Sequence, residues 1–462
     1  MQKFIFKYGL AVHLAILAVA PLFLFLFFAP PVGGVVLLWL SLSAASWIVM
    51  GPSLRSGEYL HDARARVVSG VVRDPLFWSL LAFAAFAGVC AVNGGVSLVY
   101  DAEAVQWQIS KAFFPILPCA VGDAGFPLFS AVVALVVLVV GVRHALGRSA
   151  RMAFLSVASS LSGMTAMLLF AAVRGGWPAA AALSLAESGG SFVGLVFGFH
   201  LIGGTAALVS VIENRWRFLL LLSVFSVGGS AVGLFCFSPV YAILAVLLAE
   251  VLVLLYAFVF VCRVFQATLQ LKLLAAVGMS ITLAALVIAG MWPPSLLQPK
   301  VDAIVGLAPF AEDFWEKRAV LSAVAFKTWI ANLWIGGGLA SFPLDFRFFA
   351  QPSDWLLLPR GASGVPNGWW LLLAERGLLG IVVLALPILL LTVHYVRRLV
   401  LWFRVLDLPH PACWVAPLVL ALGIALGFFD CSFLRPDALM AALPIVAVSA
   451  AAFSAAGRRD HV

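Results

Sequence analysis

The residues able to do chemistry in this 462-residue chain gather mainly in one polar interval, from about position 312 to position 380. It carries the cations Lys317, Arg318, Lys327, Arg347, Arg360 and Arg376 and the carboxylates Glu316, Asp345, Asp354 and Glu375. Cations of this kind hold anionic groups through charge-assisted hydrogen bonds, and a partly buried carboxylate can serve as a general base. The segment Pro366-Asn367-Gly368-Trp369-Trp370-Leu371-Leu372-Leu373-Ala374-Glu375-Arg376-Gly377-Leu378-Leu379-Gly380 closes the interval and opens a long apolar run. Asn367 is a preferred helix N-cap, and a helix beginning at Gly368 needs one. Glu375 then falls two helical turns beyond it, under the preceding loop. Pro366 stiffens the start of that helix and cannot accept a proton.

Three further residues lie outside the interval. Arg174 is a cation at the end of an apolar run. His200 is near the middle of another, about 15 Å below its surface at about 1.5 Å per residue. Glu250 is halfway along a third; a carboxylate at that depth faces the interior of a bundle, as a structural acid or as a proton site. The six cysteines, Cys90, Cys119, Cys236, Cys262, Cys413 and Cys431, show no metal spacing.

The elements that position these residues follow from composition. With 64% hydrophobic and 10% charged residues, the chain is not a water-soluble globule. About twelve apolar runs are long enough to cross a bilayer, which takes about 20 residues as a helix. They cover residues 9–28, 33–50, 76–93, 126–142, 152–173, 190–211, 218–236, 240–262, 273–291, 371–395, 412–429 and 438–456. The first lacks a small-residue cleavage site and reads as a retained anchor. The expected fold is all-α, with transmembrane helices over 1–291, a large loop over 292–370 and three more helices over 371–462.

Placing both termini in the cytoplasm sends Arg64, Arg66, Arg73, Arg143, Arg151, Arg215, Arg263, Arg397 and Arg458 to that side, as the positive-inside rule requires. The formal charge of +8 is then mostly membrane anchoring, not a nucleic-acid footprint. The long loop faces outward. Within it, Glu312 to Asn332 has apolar residues at Phe314, Leu321, Val324, Ala325 and Thr328 or Trp329, the spacing of an amphipathic helix lying on the membrane boundary. Gly336, Gly337 and Gly338 break that helix, and Trp355, Trp369 and Trp370 are placed for the headgroup level.

These features resemble the O-antigen ligase and polymerase superfamily of integral membrane enzymes. The family pattern has an Arg, a Gly-x-Gly-x-Gly-x-x-Phe-like turn, then His-Asn followed by Leu-Ala-Glu-x-Gly and a helix. Here Arg318 precedes Gly336, Gly338, Ala340 and Phe342 at similar spacing, and Asn367, Leu373, Ala374, Glu375, Gly377 and Gly380 fit the later part. The match covers about 70 residues, and the twelve-span topology with its loop after the ninth span is also similar. Pro366 stands where the pattern has histidine, and Pro239 follows Ser238 where many relatives have a Ser-Arg-Gly turn.

The resemblance implies transfer of a glycan from a polyprenyl diphosphate to an acceptor hydroxyl at the periplasmic face of a bacterial inner membrane, with no cofactor and no metal. It implies Arg318 for catalysis, with Glu375 or His200 in place of the missing histidine as base. Arg174, Lys327, Arg347, Asn367 and Arg376 are the substrate-binding candidates. Bland roles stand beside these: Lys317 and Arg318 as a solvated helix face, Glu375 as a helix-fixing partner of Arg376 and His200 as a hydrogen-bonded interior residue. Two other functions stay open, a non-catalytic relative that binds lipid-linked glycan or scaffolds a partner, and a membrane transporter.

Overall fold

Eleven of the twelve apolar runs are helices, in a computed structural model that describes residues 2–27, 30–50, 67–101, 106–110, 117–121, 124–174, 191–213, 217–264, 267–291, 301–302, 314–358, 367–405 and 411–428. The run at 438–456 lies outside the described residues, as do Pro366 and Arg360. In chain order the first helices are α1 (Gln2–Phe27), α2 (Pro30–Met50), α3 (Pro75–Val92), α4 (Gly125–Val140) and α5 (Arg148–Arg174). There follow α6 (Ser191–Glu213), α7 (Arg217–Phe237), α8 (Val240–Val264) and α9 (Ala267–Met291). The polar interval supplies α10 (Phe314–Ala331), α11 (Phe342–Phe349) and α12 (Pro352–Leu357), and the chain continues through α13 (Gly368–Val405) and α14 (Ala412–Gly427).

Among the described residues six helical segments are long and apolar enough to cross a membrane: Pro31–Val49, Pro75–Val92, Gly125–Ala145, Leu220–Phe237, Val240–Phe260 and Gly368–Arg397. Their outer faces expose Trp39, Leu42, Leu248, Leu252, Leu255, Val382 and Leu389. Apolar stripes of that extent belong against lipid, and a helix satisfies its own backbone there. The chain is a multi-pass helical membrane protein.

Small residues let the central helices approach closely. A Cβ at Gly163 of α5 would lie 2.6 Å from the Ser226 carbonyl of α7, and one at Gly229 would lie 2.5 Å from the Gly163 carbonyl. This is small-residue packing of membrane helices. α6 runs through the middle, buried at every position from Val196 to Val209.

At one end of the bundle Asp74 caps α3, accepting the Leu76 N–H at 3.1 Å just before Pro75. Its Oδ2 also meets Arg143 Nε at 2.9 Å and His144 Nε2 at 3.1 Å. Both belong to the π turn Gly141–Ala145 that ends α4. Arg151 donates to the Val142 and Arg143 carbonyls freed by that turn, at 2.8 and 2.7 Å. Burial raises the Asp74 carboxyl, but the His144 hydrogen bond and the Arg143 charge outweigh it and hold the pKa below its ordinary value. A depressed folded pKa gives stability that is complete above the unfolded value, about 4, and lost as pH falls through the folded one. Thermal unfolding in detergent should therefore show an acid decline that Asp74→Asn flattens while keeping the cap. Asp74→Ala should also lose about 1 kcal/mol at neutral pH. Equal acid slopes for native and Asp74→Asn protein would contradict this coupling.

A small sheet was not anticipated. β1 (Gly94–Asp101) pairs antiparallel with β2 (Gln106–Ser110) and parallel with β3 (Ala120–Val121), in the order β2-β1-β3. Ala120 also bridges in parallel to Leu339, so this connection reaches the glycine turn.

Candidate functional site

The site begins with a break in α13. Gly377 has φ 61° and ψ −166°, so the helix stops at Arg376 and restarts at Leu378. Such a break strands carbonyls on the first half and N–H groups on the second. The turn after α10 satisfies both sets. Gly337 N–H donates to the Ala374 carbonyl at 2.7 Å and Gly338 N–H to the Glu375 carbonyl at 2.9 Å. In return Leu378 and Leu379 N–H donate to the carbonyls of Leu333 and Trp334, each at 3.0 Å. The approach is so close that a Cβ at Gly336 (φ 70°) would sit 2.3 Å from the Glu375 carbonyl carbon. One at Gly377 would sit 2.4 Å from that of Trp334.

Glu375 and Arg376 lie at the break. Glu375 is buried, and its Oε1 accepts the N–H of Phe342, the first residue of α11, at 3.4 Å. The Ala340 N–H, in a residue with φ 62°, also donates to this carboxylate. Asp345, 2% exposed, accepts the Ser341 hydroxyl at 2.6 Å and lies against Gly337. Arg376 is 4% exposed, and its alkyl stem crosses Gly380. Its charge interacts with Glu375 and with Cys90 at the end of α3, yet its Nη1 has no hydrogen-bond partner among the described residues. A buried guanidinium nitrogen without a hydrogen bond is expensive, and an anionic oxygen would satisfy it.

The sheet closes the other side. Asn93 Nδ2 donates to the Leu117 and Pro118 carbonyls at 3.2 and 3.1 Å. Leu339 N–H donates to the Cys119 carbonyl at 2.8 Å, and Val121 N–H to the Leu339 carbonyl at 2.9 Å. Three distant stretches of chain, 117–121, 333–339 and 374–379, thus meet around one turn.

Other residues expected at the site are elsewhere. Arg318 donates to the carbonyl of Phe428, which caps the C-terminus of α14, and lies 5.7 Å over the Trp315 ring. Burial lowers the Arg318 pKa, partly offset by Tyr241. From Arg318 to the end of α10 the helix rises about 20 Å, so this guanidinium lies far from the glycine turn. Lys327 is exposed, with Nζ 3.5 Å from the Phe349 carbonyl, and Arg347 is exposed on α11. Arg174 ends α5, and its side chain lies outside the described residues. Asn367 is the N-cap of α13, its Oδ1 accepting the Trp369 and Trp370 N–H groups at 3.0 and 3.4 Å. His200 is 1% exposed and shares no hydrogen bond or ion pair with Glu375, Arg376 or Arg318. The expected hydrogen-bonded interior histidine is therefore not found: neither ring nitrogen has a partner among the described residues.

The amphipathic helix forms, but its apolar face is spent on protein. Leu321, Val324 and Ala325 pack with Phe342 and Phe346 of α11 and Ala374 of α13. The tryptophans also pack inward: Trp355 stands edge-on to Phe346 at 5.2 Å, Trp370 to Phe326 at 5.7 Å, and Trp369 lies 6.0 Å from Phe428. Ser341 and Cys119 were missed as neighbours of the turn. Ser341 had a usable signal in its spacing of four from Asp345 across a helix start; Cys119, 218 residues from Gly337, had none.

Fold and site together define a class: a multi-pass membrane protein whose broken helix is spliced to a glycine turn and carries a buried glutamate and a buried arginine side by side in sequence. Comparison with protein-family models gives no match, and comparison with curated proteins gives none either.

Proposed function

We propose that this protein is a ligase or polymerase of cell-surface polysaccharide, transferring a polyprenyl-diphosphate-linked glycan to an acceptor hydroxyl at the periplasmic face of a bacterial cytoplasmic membrane. The observation that carries the reading is Arg376, buried beside Glu375 at the break in α13 with Nη1 unpartnered. It adds to the resemblance of the Arg318, glycine-turn and Leu-Ala-Glu-x-Gly residues and to the twelve spans and cytoplasmic termini expected from the sequence.

In the transfer, the acceptor oxygen forms a bond to the anomeric carbon while the bond from that carbon to the diphosphate breaks. The diphosphate leaves as an anion, and its growing charge is what Arg376 is placed to take. The acceptor proton goes to a carboxylate, Glu375 or its neighbour Asp345. Glu375 also holds the Ala340 and Phe342 N–H groups, so it orients the turn whichever carboxylate takes the proton. Arg318 anchors the end of α14 and in this reading is a positioning residue.

A second reading is favoured by one residue. Pro366 stands where the resembling family has histidine, which suits a relative that binds lipid-linked glycan without transferring it. Purified protein in proteoliposomes, given a polyprenyl-diphosphate saccharide and an acceptor, separates the two. Turnover is expected from the native chain, with a loss of about 10²-fold or more in Glu375→Gln or Asp345→Asn. Donor binding without turnover would establish the second reading, and absence of both would sink the assignment to lipid-linked glycans.

A further inference from the structure

The strongest feature outside this site is a carboxylate within the bundle. Glu250, on α8, is 7% exposed. Its Oε1 accepts the hydroxyl of Thr205 on α6, and its Oε2 has no hydrogen-bond partner among the described residues. Thr205 is itself fully buried, as is the whole described face of α6 around it. On α8 the neighbours one turn either side, Val246 and Val253, are buried and apolar.

Among the described residues no basic side chain forms an ion pair with this group. The two ion pairs found among the described residues are both made by Asp74. Among the described side chains, the titratable groups on the elements packed against α8 are His200 on α6, Lys272 on α9 and Cys413 on α14; Glu213 ends α6, about two turns beyond Thr205. Lys272 is exposed at the start of its helix, and His200 shares no hydrogen bond with Glu250. On α8 itself, Tyr241 faces Arg318 and Tyr256 stands edge-on to Trp414 at 5.7 Å. A carboxylate buried without a charge partner must be neutralised, by a proton or by a bound cation.

We infer that Glu250 and Thr205 form an intramembrane site for an exchangeable monovalent cation, with the proton as the natural occupant. Thr205 fixes one carboxylate oxygen by donating to it, which leaves Oε2 as the place where the cation sits. The apolar neighbours Val246 and Val253 supply no further oxygens of the kind an alkali ion gathers around itself, and a proton needs none. The site stands whether or not the chain transfers glycans.

An apolar carbodiimide reads this site directly on the whole protein in proteoliposomes. Dicyclohexylcarbodiimide adds to a carboxylic acid and rearranges to a stable N-acylurea; all its atoms are retained, so mass spectrometry locates the adduct. The adduct is expected on the peptide holding Glu250. Its rate of formation should rise by up to about tenfold per unit fall in pH across the titrating range. Glu250→Gln should remove it, and Thr205→Val should shift its pH midpoint while leaving the adduct. Labelling slowed by Na⁺ but not by K⁺ or choline would keep the site and make Na⁺ its occupant. Labelling that ignores both pH and salt would show a permanently neutral structural acid, and a folded protein with no adduct at Glu250 would show a shielded one. Either result overturns the proposal.

Discussion

Gly377→Ala is expected to destroy the splice between α13 and the glycine turn. The backbone there, at φ 61° and ψ −166°, is a conformation that essentially only glycine adopts. The added Cβ would lie 2.4 Å from both the carbonyl carbon and the oxygen of Trp334. Those atoms cannot retreat without losing the bonds from Leu378 and Leu379 to Leu333 and Trp334. Backbone strain of about 1–3 kcal/mol, overlap and two hydrogen bonds at about 1 kcal/mol each sum to about 4 kcal/mol or more. Thermal unfolding in detergent and limited proteolysis of residues 333–340 should both report it. Gly278→Ala is the control: it lies inside α9 with open space around it, so alanine should stabilise by up to about 1 kcal/mol. If the two variants melt alike, the splice is wrong.

Arg376→Met is expected to separate stability from activity. Methionine fills much the same volume without a charge, and the Glu375 carboxylate keeps its Ala340 and Phe342 donors. Removing a buried guanidinium nitrogen that has no hydrogen bond relieves one cost, while the buried Glu375 carboxylate loses the charge beside it; the two oppose, so stability should change by no more than about 1 kcal/mol. Glycan transfer should fall by about 10²–10³-fold, the loss seen when a donor to developing negative charge is removed. Arg376→Lys should recover part of it, since lysine restores the charge but not the paired donors. A variant that unfolds more easily yet transfers normally would make Arg376 a structural residue.

Much of this was readable in the chain itself. Apolar run length placed the helices, although α1 and α9 begin six or seven residues before their runs and α13 continues ten residues past its own; Asn367 was recognisable as a cap because its side chain can accept the N–H groups that any helix start leaves free. Two turns of helix were enough to put Glu375 under the loop. What spacing could not show was the break at Gly377, since a lone glycine inside an apolar run is tolerated at about 1 kcal/mol and its φ leaves no mark on the residue order. Arg318 matched the family pattern in spacing, yet spacing carries no direction, and its side chain turned to the end of α14. The stripe on α10 marked a face correctly but not what covers it. The strands at 94–110 carry β-branched and aromatic residues and pair locally, but the bridge from Ala120 of β3 to Leu339 joins positions more than 200 apart.

That last dependence bears on how the protein is made. Chain leaves the ribosome in order, so β3 and then α10 are present before any of the donors and acceptors at 374–379 has been synthesised. Until α13 is in the bilayer, the carbonyls of Leu333 and Trp334 and the N–H groups of Gly337 and Gly338 have only water to bond. The splice is therefore among the last parts of the molecule to close, and it closes only when the distant pieces are all correctly inserted. A chain whose helices have gone in with the wrong handed order would leave an open, hydrated turn for a surveillance protease to find.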